Sequence, residues 1–169
     1  MYEVQAPDPE ASIVSECVIL VGLPASGKTT FYTRRFSTSH RHISKDHWPN
    51  VPRKDRRQRQ LIDEALGRGE SVVVDNTNPT VADRRAVIDA ARAHGARVVG
   101  YYLDASTREA VGRNRGREGA GRVPDVAIFA TAKRLAVPTL DEGFDELFRV
   151  SIRDDGEFDV IVDGFRPDL

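Results

Sequence analysis

The sequence predicts an α/β domain: a mostly parallel sheet of about five strands, flanked by helices on both faces. Three observations lead there. Short apolar runs at 17–21, 71–75 and 97–103, rich in β-branched residues, alternate with segments long enough to be helices. Inside those runs consecutive residues are apolar, as in strands covered on both sides. The first of them leads directly into the loop Gly22-Leu23-Pro24-Ala25-Ser26-Gly27-Lys28-Thr29, and the loop into a stretch that can carry a helix. That strand, loop, helix context gives the loop its meaning.

At 169 residues the chain is long enough for one well-buried core. Apolar residues make up 40% and charged residues 30%, and no apolar run approaches the length of a bilayer span. The polar N-terminus has no basic flank, and the single cysteine, Cys17, lies inside a core strand. The expectation is therefore a cytoplasmic protein without a membrane partner. A net charge of −1 gives no global reason to expect nucleic acid, but the charge is uneven. Residues 53–59 hold five cations against one acid, and residues 108–122 hold five arginines against two acids.

Taken in order, residues 1–12, with Pro7 and Pro9, predict a flexible tail before a domain over 13–169. The loop after the first strand fits G-x-x-x-x-G-K-[ST] at every fixed position. Its glycines let consecutive N–H groups point inward at a polyphosphate, and the new helix turns its positive end toward the same anion. The cradle comprises Gly22, Pro24, Ala25, Ser26, Gly27, Lys28, Thr29 and Thr30, with Lys28 as a point charge for the outer phosphates. The Thr29 hydroxyl is placed for Mg2+. ATP and Mg2+ are the expected ligands.

A short strand over 40–46 follows, ending in Lys45-Asp46. Pro49 and Pro52 break the chain before a helix whose Leu61, Ile62, Ala65 and Leu66 share one face, and Gly67 and Gly69 end it. The strand over 71–75 closes on Asp75, with Asn76-Thr77-Asn78-Pro79 as the loop beyond. Thr80 and Asp83 make a partial capping box for the next helix. Ser106 and Glu109 cap another after the strand at 97–103. That helix dissolves into a stretch rich in glycine and arginine, an Arg-rich lid over about 112–124. A helix from Pro124 and Asp125 to Leu135, and two closing strands at 146–152 and 157–163 around Asp155-Gly156, complete the chain.

Ligands on such sheets gather beyond the C-terminal strand ends, where Lys28, Asp46 and Asp75 fall. Asp46 is placed to accept a proton from a hydroxyl attacking the γ-phosphate, or else to cap a helix or pair with Lys45. Asp75 ends its strand as a Mg2+-holding acid does. Asn76 and Asn78 bond the acceptor or order the turn. Arg113 and Arg117 are candidates to stabilise the transferred phosphoryl, in a loop that otherwise is simply solvated. His40, His42, His47 and His94 show no metal-ligand spacing and read as surface or capping residues.

The chain resembles the kinase domain of polynucleotide kinases, the phosphate-loop 5′-hydroxyl kinases of nucleic-acid end repair in bacteriophages and animals. The likeness runs from about Cys17 to Ile152. It rests on the phosphate loop, on Ser44-Lys45-Asp46, on Val72-Val73-Val74-Asp75-Asn76-Thr77-Asn78-Pro79, on Arg113-Asn114-Arg115-Gly116-Arg117, on Val123-Pro124 and on Pro138-Thr139-Leu140-Asp141-Glu142-Gly143-Phe144. The resemblance implies a single P-loop kinase domain in which Asp46 activates the 5′-hydroxyl of DNA or RNA. Lys28 and Thr29 would hold ATP and Mg2+, and Arg117 with Arg113 would reach over the phosphates. Asn76 and Asn78 of the strand-end loop, with Arg53 and Arg56 of the basic stretch, are the candidates for the acceptor, and the resemblance points to 138–144 for the donor base. A phosphatase or ligase acting with it would be a separate protein. Two departures stand out: Lys45-Asp46 replaces the common Arg-Asp, and Pro49 stands where the phage protein has an arginine, a loss that Arg53 to Arg59 could offset. A small-molecule kinase of the same fold, on a nucleoside, sugar nucleotide or antibiotic, and a non-transferring nucleotide-binding module are the alternatives.

Overall fold

The computed structural model describes residues 14–165, so the tail expected over 1–12 lies outside the described residues. The chain runs β1 (Glu16–Val21), α1 (Lys28–Arg35), β2 (His40–Ile43), α2 (Lys54–Gly67), β3 (Ser71–Asp75) and α3 (Val81–Ala93). It continues through β4 (Arg97–Leu103), α4 (Thr107–Arg115), α5 (Asp125–Arg134), β5 (Glu146–Ile152) and β6 (Phe158–Phe165). One sheet forms, in the order β2-β3-β1-β4-β5-β6. The first five strands pair in parallel and β6 returns antiparallel to β5. The sheet therefore has six strands rather than about five.

Strand alternation divides the core between the two faces. Cys17, Ile19 and Val21 of β1 pack with Leu61, Ile62, Ala65, Val87 and Ile88 from α2 and α3. Val18 and Leu20 pack on the other face with Phe31 and Phe36, brought by α1 and its end. Burial pushes the Cys17 thiol up to about 12, with Glu16 adding to the shift, so it stays protonated and serves as a small apolar residue. Gly100 has a packing reason: a Cβ there would meet the Phe144 ring at 2.7 Å, so its absence lets Phe144 lie flat on β4.

The last strand runs Phe158–Phe165 rather than 157–163, and two expected boundaries nearer the phosphate loop also move. The strand expected over 40–46 stops at Ile43, the last residue of β2 in register with β3, and Lys45–His47 forms a 3-10 turn capped by the Ser44 hydroxyl. The helix after Ser106 does not dissolve at Gly112. A complete Ser106/Glu109 capping box starts α4 and it runs on through Arg113 to Arg115. The loop beyond is not free either. Buried Asn114 donates from Nδ2 to the Val123 carbonyl at 2.6 Å and accepts the Val123 N–H on Oδ1 at 3.0 Å, folding the loop back onto the helix.

Candidate active site

The phosphate loop closes beyond the end of β1 by geometry that its glycines only partly explain. Gly27, at φ 96°, takes the left-handed backbone expected of it. The second left-handed residue is Ala25 at φ 62°, not Gly22. Gly22 is required for space: a Cβ would stand 2.8 Å from Ser26 Oγ and 3.1 Å from the Leu103 carbonyl oxygen. Successive left-handed turns aim backbone N–H groups into one concavity, in front of the N-terminus of α1, whose first turn carries Thr29 and Thr30.

Lys28 folds back over this loop and donates to the Leu23 carbonyl at 2.6 Å and the Gly22 carbonyl at 3.2 Å. Burial lowers its pKa to about 8; Asp75 opposes that shift, Arg117 adds to it and Asp46 opposes it. Asp46 and Arg117 therefore both stand within electrostatic reach of the Lys28 ammonium. Below Lys28, Thr29 donates its hydroxyl to Asp75 Oδ2 at 2.8 Å, bringing the last turn of the loop against the end of β3. The same carboxylate oxygen lies 2.7 Å from His42 Nε2. The His42 ring, projecting from β2, stacks on Tyr32 at 4.0 Å. Among the described residues no group of three His, Cys, Asp or Glu side chains is arranged to hold a metal. A hydroxyl and one carboxylate are hard oxygen donors and fit Mg2+, which keeps waters and phosphate oxygens as its other ligands.

A cleft of about 1260 Å³ opens from the loop toward α2 and α3. Lys28, Thr29, Asp75, Asp46, Lys45 and Arg117 line it near the phosphate loop, and Lys54, Gln58, Arg59, Ile62, Ala86 and Asp89 line it further out. Asp46 is exposed to this space on the 3-10 turn. Its neighbour Lys45 does not pair with it, because the Lys45 ammonium goes to Asp55.

The acceptor candidates Asn76 and Asn78 line the same cleft, whereas others stand outside it. The Asn76 amide is committed: Oδ1 accepts the Lys45 N–H at 2.9 Å and Nδ2 donates to Gln58 Oε1 at 2.7 Å. Asn78 is buried, left-handed at φ 43°, and donates to the Leu20 carbonyl at 2.7 Å. Both asparagines order the loop, and both also line the cleft. Arg53 and Arg56 are exposed and outside the cleft lining, whereas Lys54, Gln58 and Ile62, four apart on one face of α2, are in it. Helical phase, applied to the basic run, would have made that selection.

The two arginines expected over the phosphates part company. Arg117 lines the cleft, while Arg113 points to a separate small cavity on the other side of the loop, with Ser26, Asp104, Glu109 and Ser151. There Arg113 Nη1 is buried without a hydrogen-bond partner. The 138–144 stretch does not face the loop. The Asp145 N–H bonds Val98 O, which sets the end of this stretch at the N-terminal ends of β4 and β5, opposite the phosphate loop. Its Glu142 instead grips the fully buried Arg84 through two bonds, at 2.7 and 3.1 Å. Arg84 passes that hold to the Asn78 and Pro79 carbonyls. Sequence reasoning missed His42, Gln58 and Arg84. His42 reads as a surface or capping residue in the sequence, where nothing local gives its partner Asp75, 33 positions away.

The chain is similar to known proteins. Residues 17–138 match a family described as an AAA domain. The bifunctional polynucleotide phosphatase/kinase of Schizosaccharomyces pombe is 31% identical over 142 residues, covering 82% of this chain and 34% of that protein. The chain thus spans about a third of the length of this curated relative. Among solved structures, a fungal RNA kinase superposes with a TM-score of 0.60 at 18% identity, over 81% of this chain and 38% of that one. A sugar kinase from Janibacter sp. HTCC2649 superposes at 0.62 with 16% identity, over 81% and 85%. At such identities the superpositions show a shared fold.

Proposed function

Because this chain belongs to the AAA domain family and has the fold of a P-loop kinase, we propose that it transfers the γ-phosphate of ATP to the 5′-hydroxyl end of a polynucleotide, with Asp46 as general base. The observation that carries this reading is the shared cleft: Asp46 and Lys28 line one space that starts at the phosphate loop and continues well beyond it. At about 1260 Å³ it is large enough for a nucleotide and an acceptor side by side. The partial likeness to a polynucleotide phosphatase/kinase points the same way.

The chemistry follows from the residues. Asp46 accepts the hydroxyl proton as the acceptor oxygen attacks the γ-phosphorus, and the bond from that phosphorus to the β–γ bridging oxygen breaks. The bridging oxygen keeps the electron pair, leaving ADP and a 5′-phosphate. Lys28, the loop N–H groups and Arg117 hold the phosphates and the charge that spreads during transfer. Thr29 and Asp75 would hold Mg2+, which neutralises phosphate charge when bound with the nucleotide.

Transfer of labelled γ-phosphate to a short oligonucleotide with a 5′-hydroxyl tests the proposal. The unsubstituted protein labels the oligonucleotide. Asp46→Ala lowers the rate by about 10² to 10⁴ while nucleotide binding persists. Release of free phosphate alone, with no labelled acceptor, overturns the proposal.

A further inference from the structure

One oxygen of the Asp75 carboxylate carries two donors and the other carries none. The Thr29 hydroxyl donates to Oδ2 at 2.8 Å, and His42 Nε2 lies 2.7 Å from the same atom. An ionised carboxylate only accepts, so Nε2 carries the hydrogen in this bond. Oδ1 has no hydrogen bond among the described residues, yet it is not among the buried atoms left without a partner. Asp75 is 4% exposed and lines the cleft, so Oδ1 is the atom it opens to that space. The Thr29 oxygen, having given its hydrogen to Oδ2, keeps its lone pairs for the same space.

The His42 ring is itself held by two other elements. It projects from β2 and stacks on Tyr32 of α1, with centroids 4.0 Å apart and planes 11° off parallel. Tyr32 is anchored in turn, its hydroxyl donating to the His40 carbonyl at 3.2 Å. His47, next to Asp46 in the 3-10 turn, meets the His42 ring at 4.8 Å and 76°. A ring fixed in plane and reach holds a carboxylate in one rotation, which a mobile water does not.

We propose that His42 is a positioning residue for the metal side of the site: its Nε2–H holds Asp75 so that Oδ1 faces the Mg2+ position beside the Thr29 hydroxyl. This rests on Thr29 and Asp75 holding Mg2+ in the transferase reading given above. Thr29 alone does not suffice, because a single donor leaves the carboxylate free to swing about that one bond. The second donor, arriving from β2, removes the swing. Hydrogen-bond partners of metal-holding side chains commonly account for about 10- to 100-fold in metal affinity. Contact with His47 also sets the turn bearing Asp46 against the same ring.

Two substitutions separate the hydrogen bond from the packing. His42→Phe keeps a ring for Tyr32 and His47 and removes the donor. His42→Gln keeps an amide N–H with a reach close to that of Nε2 and removes the ring. The readout is calorimetric binding of a nonhydrolysable ATP analogue, in EDTA and across a Mg2+ series at one pH, with a thermal midpoint for each variant. For His42→Phe the expected result is metal-free affinity within about twofold of the unsubstituted protein, and a loss of about tenfold or more in the tightening that Mg2+ brings. His42→Gln recovers that tightening to within about threefold, although its thermal midpoint is the lower of the two. The opposite order, with His42→Phe preserving the Mg2+ effect and His42→Gln losing it, assigns the residue to packing and overturns the proposal. Equal losses of metal-free and Mg2+-bound affinity in both variants overturn it as well. Mg2+-coupled binding that His42→Phe weakens, in a protein that labels no 5′-hydroxyl acceptor, would overturn the transferase reading and leave the role of His42 standing.

Discussion

At the scale of single residues the site is governed by one lysine held below its usual pKa. Burial brings Lys28 to about 8, against the opposing pull of Asp75, so the side chain is mostly charged at neutral pH and loses its proton above about pH 8. A polyphosphate binds the charged form, and its own negative charge raises the lysine pKa in the complex. Nucleotide affinity therefore falls as pH rises through 8, by up to about tenfold per unit, and binding takes up a proton in that range. Calorimetry at pH 7, 8 and 9 in buffers of different ionisation enthalpy measures both effects. Since Arg117 pushes the lysine down, Arg117→Ala moves the break to higher pH, in addition to any direct loss of phosphate contact. Affinity that stays level from pH 7 to 9.5 would mean that the Lys28 charge does not hold the nucleotide.

At the scale of elements, the buried Arg84–Glu142 ion pair ties the loop after β3 to the far side of α3. Arg84 is wholly buried and Glu142 almost so, and the arginine also donates to the carbonyls of Asn78 and Pro79. Removing one partner strands the other charge away from water. Arg84→Ala or Glu142→Ala should cost about 3–5 kcal/mol of unfolding free energy, while Arg84→Met with Glu142→Leu should cost less than either alone. Urea unfolding of the three variants gives the comparison. If the double variant is the least stable, the pair is a net source of stability. The sequence showed the elements but not this tie. Thr80 and Asp83 announced the start of α3, and 71–75 and 97–103 matched β3 and β4 to the residue, because strands buried on both faces carry consecutive apolar residues bounded by polar ones. Arg84 looked like one more cation on a charged helix. Its burial depends on Glu142, 58 positions away, and no local pattern encodes that pairing.

At the scale of the whole molecule, the sheet order explains both what was legible and what was not. With β1 between β3 and β4, the phosphate loop and Asp75 lie at neighbouring strand ends, and β3 brings β2 and the Asp46 turn beside them. A motif with its strand and helix was enough to predict that gathering. Two features do not join the cleft, Arg113 and the 138–144 stretch; which side of the loop or which end of the sheet a segment reaches is settled by packing. Asp145 shows what the second of these segments does. It sits where β4, β5 and α3 meet, accepting the Val98 N–H at 2.8 Å and two Arg92 bonds at 3.0 and 3.1 Å. Burial works against its ionised form, but the Val98 and Arg92 hydrogen bonds outweigh that and hold its pKa below 3.8. A carboxyl depressed in the folded state adds stability above its unfolded pKa and loses that contribution as pH falls through the folded value. Unfolding free energy should therefore decline below about pH 4, and Asp145→Asn, which keeps an oxygen for Val98, should flatten that decline while lowering stability at pH 7. Denaturant midpoints between pH 7 and 3 test it: parallel curves for the two proteins would assign the acid sensitivity to other carboxylates.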